Sequence, residues 1–116
     1  SNCNTLSGTT TLASLTNQVA TANGYTQNSK AVTLTTANSG GTITVDETTN
    51  PSWTANGGSI TARFAVIYND THASKQALYV CLLDTAPADV TATDGNTFTI
   101  TQNSSGIFTI SGASID

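Results

Sequence analysis

Apolar and polar positions alternate along most of the chain with the two-residue period of β-strands. The run AVTLTT from Ala31 to Thr36 spaces Val32 and Leu34 by two, and after NSGG the run TITVDE repeats that spacing with Ile43 and Val45. Two such runs across a Gly-Gly turn predict a hairpin. Asn50-Pro51 ends the second strand and leads to Trp53, which is expected in a loop folded over a sheet edge. The Asn56-Gly57-Gly58 turn then opens the longest apolar segment, SITARFAVIYN. There Ile60, Ala62, Phe64, Val66 and Tyr68 share one face and Arg63, Ala65 and Ile67 the other, the two-sided apolar pattern of a central strand. ALYVCLLD repeats that pattern after the polar loop DTHASKQ, and these two strands are the predicted core. Beyond Pro87, DVTATDG reads as an edge strand or loop, and NTFTITQ and GIFTIS flank NSSG as a closing hairpin.

About a fifth of the residues are Thr, stiff at χ1 and better suited to a pleated surface than to a helix. Leu12, Leu15 and Val19 are spaced for one short helix between Thr11 and Ala22, against the Thr and Asn content of that stretch. No repeat of 20 to 50 residues is visible. Short strands at turn spacings of about 8 to 12 residues predict an all-β fold, an antiparallel two-sheet β-sandwich of jelly-roll or immunoglobulin-like type. The expected organisation is a polar N-terminal arm at 1–13 and a single sandwich domain over 14–116.

Composition narrows what such a domain does. At 116 residues and 11.8 kDa the chain holds one domain of ordinary size. Only 9% of residues are charged, against about 25% in an average protein, and Thr, Ser, Asn and Gln take their place. Three basic residues, Lys30, Arg63 and Lys75, against seven acidic ones leave a net charge of -4, which argues against nucleic-acid or anionic-membrane partners. No apolar run reaches 18 residues. Cys3 lies in a polar end and Cys81 in the apolar run LYVCLL, so a buried thiol at Cys81 is favoured over a Cys3–Cys81 disulfide.

Candidate chemistry is sparse. His72 is the single histidine, so a nucleophile-base-acid set would have to be built in the loop Asp70-Thr71-His72-Ala73-Ser74; a solvated hairpin tip is the favoured reading, and no enzyme activity or cofactor is expected. Zinc would need His72, both cysteines and a carboxylate to converge from distant strands without paired ligand spacing. Asp84, Asp89 and Asp94 could line a calcium loop, but Asp in turns more often caps its own backbone, and no metal is expected. Trp53, Tyr25, Tyr68 and Tyr79 could stack on sugars, although burial is the commoner use of such rings. Lys30 or Lys75 could enter an isopeptide bond, with nothing to place a partner beside either. Asn69-Asp70-Thr71 and Asn103-Ser104-Ser105 match the glycosylation sequon, which arises readily by chance in this composition. Arg63, in the longest apolar segment, requires a carboxylate or carbonyl partner, within the fold or across a subunit contact.

From about Leu15 onward the order of features resembles a family of small structural proteins in the particles of tailed bacteriophages and prophages. The matching pieces are SLTNQVATANGYT at 14–26, SGGTITVD at 39–46, PSWT at 51–54, ITARFAVIYNDT at 60–71, ALYVCLLD at 77–84, DGNTFTI at 94–100 and NSSGIFTIS at 103–111. The resemblance implies a β-sandwich virion protein without enzymatic activity. Members usually carry an apolar segment, a short helix and a strand ahead of the part matching Ser14, where this sequence has thirteen mostly polar residues. If such a strand is absent, one sheet has an open edge that invites a neighbour.

Within that family, a small domain with few charges and many hydroxyls suits a static contact made by shape and hydrogen bonds. The expectation is a capsid decoration or cement protein on the virion exterior that binds the major capsid protein or other virion proteins, gains affinity through many copies and stabilises the shell. A homo-oligomer is expected, a cyclic trimer being a plausible form. The alternative is a tail- or fibre-associated module that binds host-surface carbohydrate. The interface candidates are Trp53, Asn56, Asp70, His72 and Lys75, on the loops 50–58 and 69–76, together with the N-terminal arm.

Overall fold

A computed structural model of the chain describes residues 10–84, 86, 88–101 and 108–111, the last four by backbone alone. The described residues are all-β: nine strands and one three-residue 3-10 turn, Leu12–Ser14. The strands are β1 (Leu34–Ser39), β2 (Thr42–Glu47), β3 (Ser52–Thr54), β4 (Ile60–Ala62), β5 (Phe64–Tyr68), β6 (Ala77–Leu82), β7 (Val90–Ala92), β8 (Thr97–Thr99) and β9 (Phe108–Ser111). They form a three-stranded sheet of order β1-β2-β9 and the two-stranded pairs β3-β8, β4-β7 and β5-β6. The chain divides into two compact units, residues 1–27 with 54–98, and residues 28–53 with 99–116. Among the described residues no helix is long and apolar enough to cross a membrane.

In the second unit, β1 and β2 make the hairpin expected from their alternation, with Leu34 opposite Glu47 and Ser39 opposite Thr42. The loop is Gly40-Gly41, at φ 58° and 81°. Two central residues with positive φ make a type I′ turn, whose twist matches that of the strands, and glycine adopts it without steric cost. β1 starts at Leu34, three residues later than the pattern suggests. β9 pairs antiparallel on the other side of β2, from Thr42↔Ser111 to Val45↔Phe108. The central strand contributes the buried Val45, whereas all six residues of β1 are exposed.

The expected closing hairpin is therefore not formed: β8 joins β3, and β9 joins β2. A hairpin of two short polar strands would leave both its outer edges unpaired, whereas docking β9 on β2 satisfies both edges of a central strand.

In the first unit, the long apolar segment is two strands rather than one. β4 pairs with β7, Ile60↔Ala92 to Ala62↔Val90, and β5 pairs with β6, Phe64↔Leu82 to Tyr68↔Ala77, with a register shift between Ile67 and Tyr68. The chain changes partner at Arg63, whose carbonyl still accepts a hydrogen bond from the Leu83 amide at 2.9 Å. Its guanidinium Nε lies 2.7 Å from Asp89 Oδ1, just before β7. The charge that looked out of place in a central strand thus marks the break in it. Both partners keep about half their side-chain surface in water, 46% and 54%. Asp89→Ala is accordingly expected to lower stability by less than about 1 kcal/mol. Chemical denaturation of the two proteins checks this; a larger loss would mean that the pair holds the change of partner in place.

The buried apolar residues of this unit are Ala55 (1% exposed), Ile60, Ala92 and Phe98. The predicted core strands are not among them. β5 is half-buried throughout, and on β6 Leu78 and Leu82 are 57% and 42% exposed. A ribbon of two strands that is apolar on both faces exposes more apolar surface than its own unit covers.

The helix expected between Thr11 and Ala22 shrinks to the turn Leu12–Ser14. Ser14 Oγ donates to the Thr11 carbonyl at 2.8 Å and accepts from the Thr11 amide at 3.0 Å, a local exchange that competes with helix propagation. Asn17 then sits at φ 54°, in the left-handed region, which no right-handed helix accommodates. Just ahead, Thr10–Leu12 is tied to residues 75–77: the Leu12 amide donates to the Lys75 carbonyl and the Ala77 amide to the Thr10 carbonyl, both at 2.9 Å.

Candidate functional site

Three of the five interface candidates, Asp70, His72 and Lys75, meet in the connection between β5 and β6. The Asn69 amide closes this loop on the Gln76 carbonyl at 2.9 Å. Inside it, Asn69 Oδ1 accepts from the Thr71 amide at 3.1 Å and from Thr71 Oγ1 at 2.7 Å, so the sequon asparagine is engaged in its own turn. His72 Nδ1 accepts from the Ser74 amide at 3.2 Å and lies 2.7 Å from Ser74 Oγ. With Nδ1 as acceptor, the proton of the neutral ring is on Nε2.

The Lys75 amide donates to the His72 carbonyl at 2.9 Å, and Lys75 takes a left-handed backbone at φ 46°. Its ammonium bonds the Asp70 carboxylate and stands 5.8 Å from the centre of the Tyr68 ring. The hydrogen bond to Asp70 raises the Lys75 pKa, so the ammonium stays charged through the neutral range. Asp70 therefore serves Lys75 and not His72. The loop is a water-facing tip of mixed charge held by short-range hydrogen bonds, with the end of the N-terminal arm bound along residues 75–77.

Asn56 lies elsewhere in the first unit, in a second knot of turns. Ala22 and Tyr25 exchange backbone hydrogen bonds at 3.0 and 2.9 Å around Asn23 and Gly24, at φ 53° and 83°. The Asn56 amide donates to the Asn23 carbonyl at 3.0 Å, and Asn23 Nδ2 donates to the Ser59 carbonyl at 3.1 Å. Ala55 bonds Asn96 and Gly95 through its amide and carbonyl, and the Gly57 amide donates to Asp94 Oδ1 at 2.8 Å. Asn23-Gly24 is an Asn-Gly turn signal like Asn56-Gly57, and it is not among the turns expected from the alternation of the strands.

Trp53 belongs to the second unit and is on strand β3 rather than in a loop. A side chain alternating within a paired strand gains burial that a loop over the sheet edge does not provide. The ring is half-buried, its Nε1–H donates to Ser29 Oγ at 3.2 Å, and Lys30 Nζ lies 5.9 Å from its centre. Trp53 and Tyr68, both considered for sugar stacking, thus each have an ammonium over the ring. Tyr25 and Tyr79 are half-buried, and burial, followed by the neighbouring Tyr68, raises the pKa of the Tyr25 hydroxyl.

The aspartates considered for calcium have separate duties. Asp84 Oδ1 accepts from the Ala86 amide at 3.1 Å, Asp89 pairs with Arg63, and Asp94 holds Gly57. Among the described residues no three His, Cys, Asp or Glu side chains gather as a metal-binding group. Cys81 is half-buried on β6, while Cys3 and the sequon at Asn103 lie outside the described residues. In comparisons with known proteins, no family model, no curated protein and no solved structure matches the chain.

Proposed function

We propose that this chain is a structural protein of a tailed-bacteriophage particle, a decoration or cement protein that binds the outer head surface and holds neighbouring capsid subunits together. The observation that carries this reading is its surface chemistry. An all-β chain with 9% charged residues, rich in Thr, Ser and Asn, that also exposes Leu34, Leu78 and Leu82 is suited to static contacts through shape and hydroxyl hydrogen bonds. The loop tip at Asp70, His72 and Lys75, with Thr10–Leu12 bound along its base, is the proposed contact with the major capsid protein. The finer architecture belongs to the same proposal: an antiparallel two-sheet sandwich, in which the change of partner at Arg63 is how a strand passes from one sheet to the other. A homo-oligomer, with a trimer at particle symmetry axes, completes it.

The test is thermal release of DNA from particles with and without the protein, with reconstruction of complete particles to locate it. Release at lower temperature from depleted particles, and regular copies touching several capsid subunits, are the expected results. Equal release temperatures would overturn the cement role. Density confined to the tail would replace it with host recognition, and Trp53 fluorescence against host glycans would then be the next measurement.

A further inference from the structure

β1 is the outer strand of its sheet, and among the described residues no strand pairs with its free edge. Natural edges are blunted by charge, proline, bulges or shortness. β1 has none of these: LTTANS is six residues long, carries no charge and no proline, and pairs with β2 in unbroken register.

The register decides which groups are available. In a hairpin with a two-residue loop the flanking pair, Ser39 and Thr42, exchanges hydrogen bonds, and such pairs then recur at every second residue. Ala37 and Thr35 therefore face β2, and the Thr48 amide bonding the Thr33 carbonyl at 3.1 Å continues the same series. Leu34, Thr36 and Asn38 point their N–H and C=O groups away from β2.

We propose that this edge pairs with the same edge of a second copy of the chain, giving an antiparallel dimer with its two-fold axis between the two Thr36 residues. The outward groups are self-complementary about that point. Thr36 faces Thr36, Leu34 faces Asn38 and Asn38 faces Leu34, each pair exchanging two hydrogen bonds, and the product is a six-stranded sheet of common size. Charge favours this orientation. Asp46 and Glu47 of β2 lie beside Thr35 and Leu34, at one end of the edge. Antiparallel pairing carries them to opposite ends of the dimer, the two Glu47 residues separated by roughly 20 Å, about two Debye lengths at physiological salt. Parallel pairing would gather all four carboxylates at one end. The contact is isologous and closes at two copies, so it uses a surface different from that of a trimer and does not depend on the virion reading.

Sedimentation of the full chain across micromolar concentrations is expected to show a species of twice the 11.8 kDa chain mass. Thr36→Pro removes an outward N–H at the dimer centre and leaves the bonds to β2 intact, so it is expected to give a monomer with unchanged β-sheet circular dichroism. Thr36→Lys places two ammonium groups opposite each other and is expected to weaken the dimer in a salt-dependent way. Ala37→Pro removes an inward N–H and loses the hairpin itself. A chain that sediments at 11.8 kDa throughout, or a dimer that survives Thr36→Pro, overturns the proposal. So does concentration-independent protection of the Leu34, Thr36 and Asn38 amides from hydrogen exchange in a monomer, which would mean that a segment of the same chain covers the edge.

Discussion

Gly24→Ala is expected to destabilise the protein by about 3 kcal/mol or more, a large part of the 5–15 kcal/mol that separates typical folded and unfolded chains. Two costs combine. Gly24 sits at φ 83°, where a side chain costs about 1–2 kcal/mol. The new Cβ would also stand 2.0 Å from the Thr54 carbonyl oxygen and 3.2 Å from the Asn56 amide nitrogen. Neither is the end of a flexible side chain, so backbone must move, which costs about as much as an overpacked core. The movement would loosen the Asn23 contacts to Asn56 and Ser59. Gly40→Ala is the matched control, because Gly40 has φ 58° and open space around its missing Cβ, leaving only the conformational cost. Equal urea midpoints for the two variants would show that the close approach to Thr54 carries no weight.

Phe98→Ala is expected to cost about 3–5 kcal/mol and to lower the melting temperature by on the order of 10–20 °C. Among the described residues Phe98 is the one aromatic that is buried, and its own unit otherwise buries Ala55, Ile60 and Ala92. Where the groups around a deleted phenyl ring relax only partly, a cavity persists and adds its cost to the lost transfer free energy. Leu78→Ala, at a position 57% exposed, is expected to change stability by a few tenths of a kcal/mol. Calorimetry of the two variants should separate them widely; similar melting temperatures would place the stabilising apolar contacts on the β5-β6 pair after all.

These expectations differ from what apolar content alone suggests. Alternation made the β class and the β1-β2 hairpin legible, because period and glycine turn are local properties that each strand carries by itself. Partner choice is not local. Nothing within SITARFAVIYN says that the chain leaves β7 for β6 at Arg63, and only the pairing of Arg63 with Asp89, twenty-six residues on, accounts for the charge. FTIT and IFTI were adjacent in sequence and equally suited to each other, yet each found another strand whose edge needed it. Burial is not a local property either. Phe64–Tyr68 and Ala77–Leu82 are the most apolar runs, but a pair of strands covers little of its own surface, while Phe98, flanked by threonines, lies in the core. Of the site, the clustering of Asp70, His72 and Lys75 was legible from their closeness in one loop. The place of Trp53 on a strand was not, since a three-residue strand after a proline leaves almost no periodic trace.

The division of the chain also bears on the order in which it can fold during synthesis. The first unit is built from residues 1–27 and 54–98, with the segment 28–53 inserted between them. A ribosome therefore delivers the β1-β2 hairpin before either unit is complete, and the partner of β2, β9, emerges only at residues 108–111, long after the hairpin itself. Throughout that interval the nascent hairpin has both edges open. Where many copies are made side by side, a strand free of charge and proline at such an edge would meet its counterpart on a neighbouring polysome early, so assembly and folding of this chain would overlap in time.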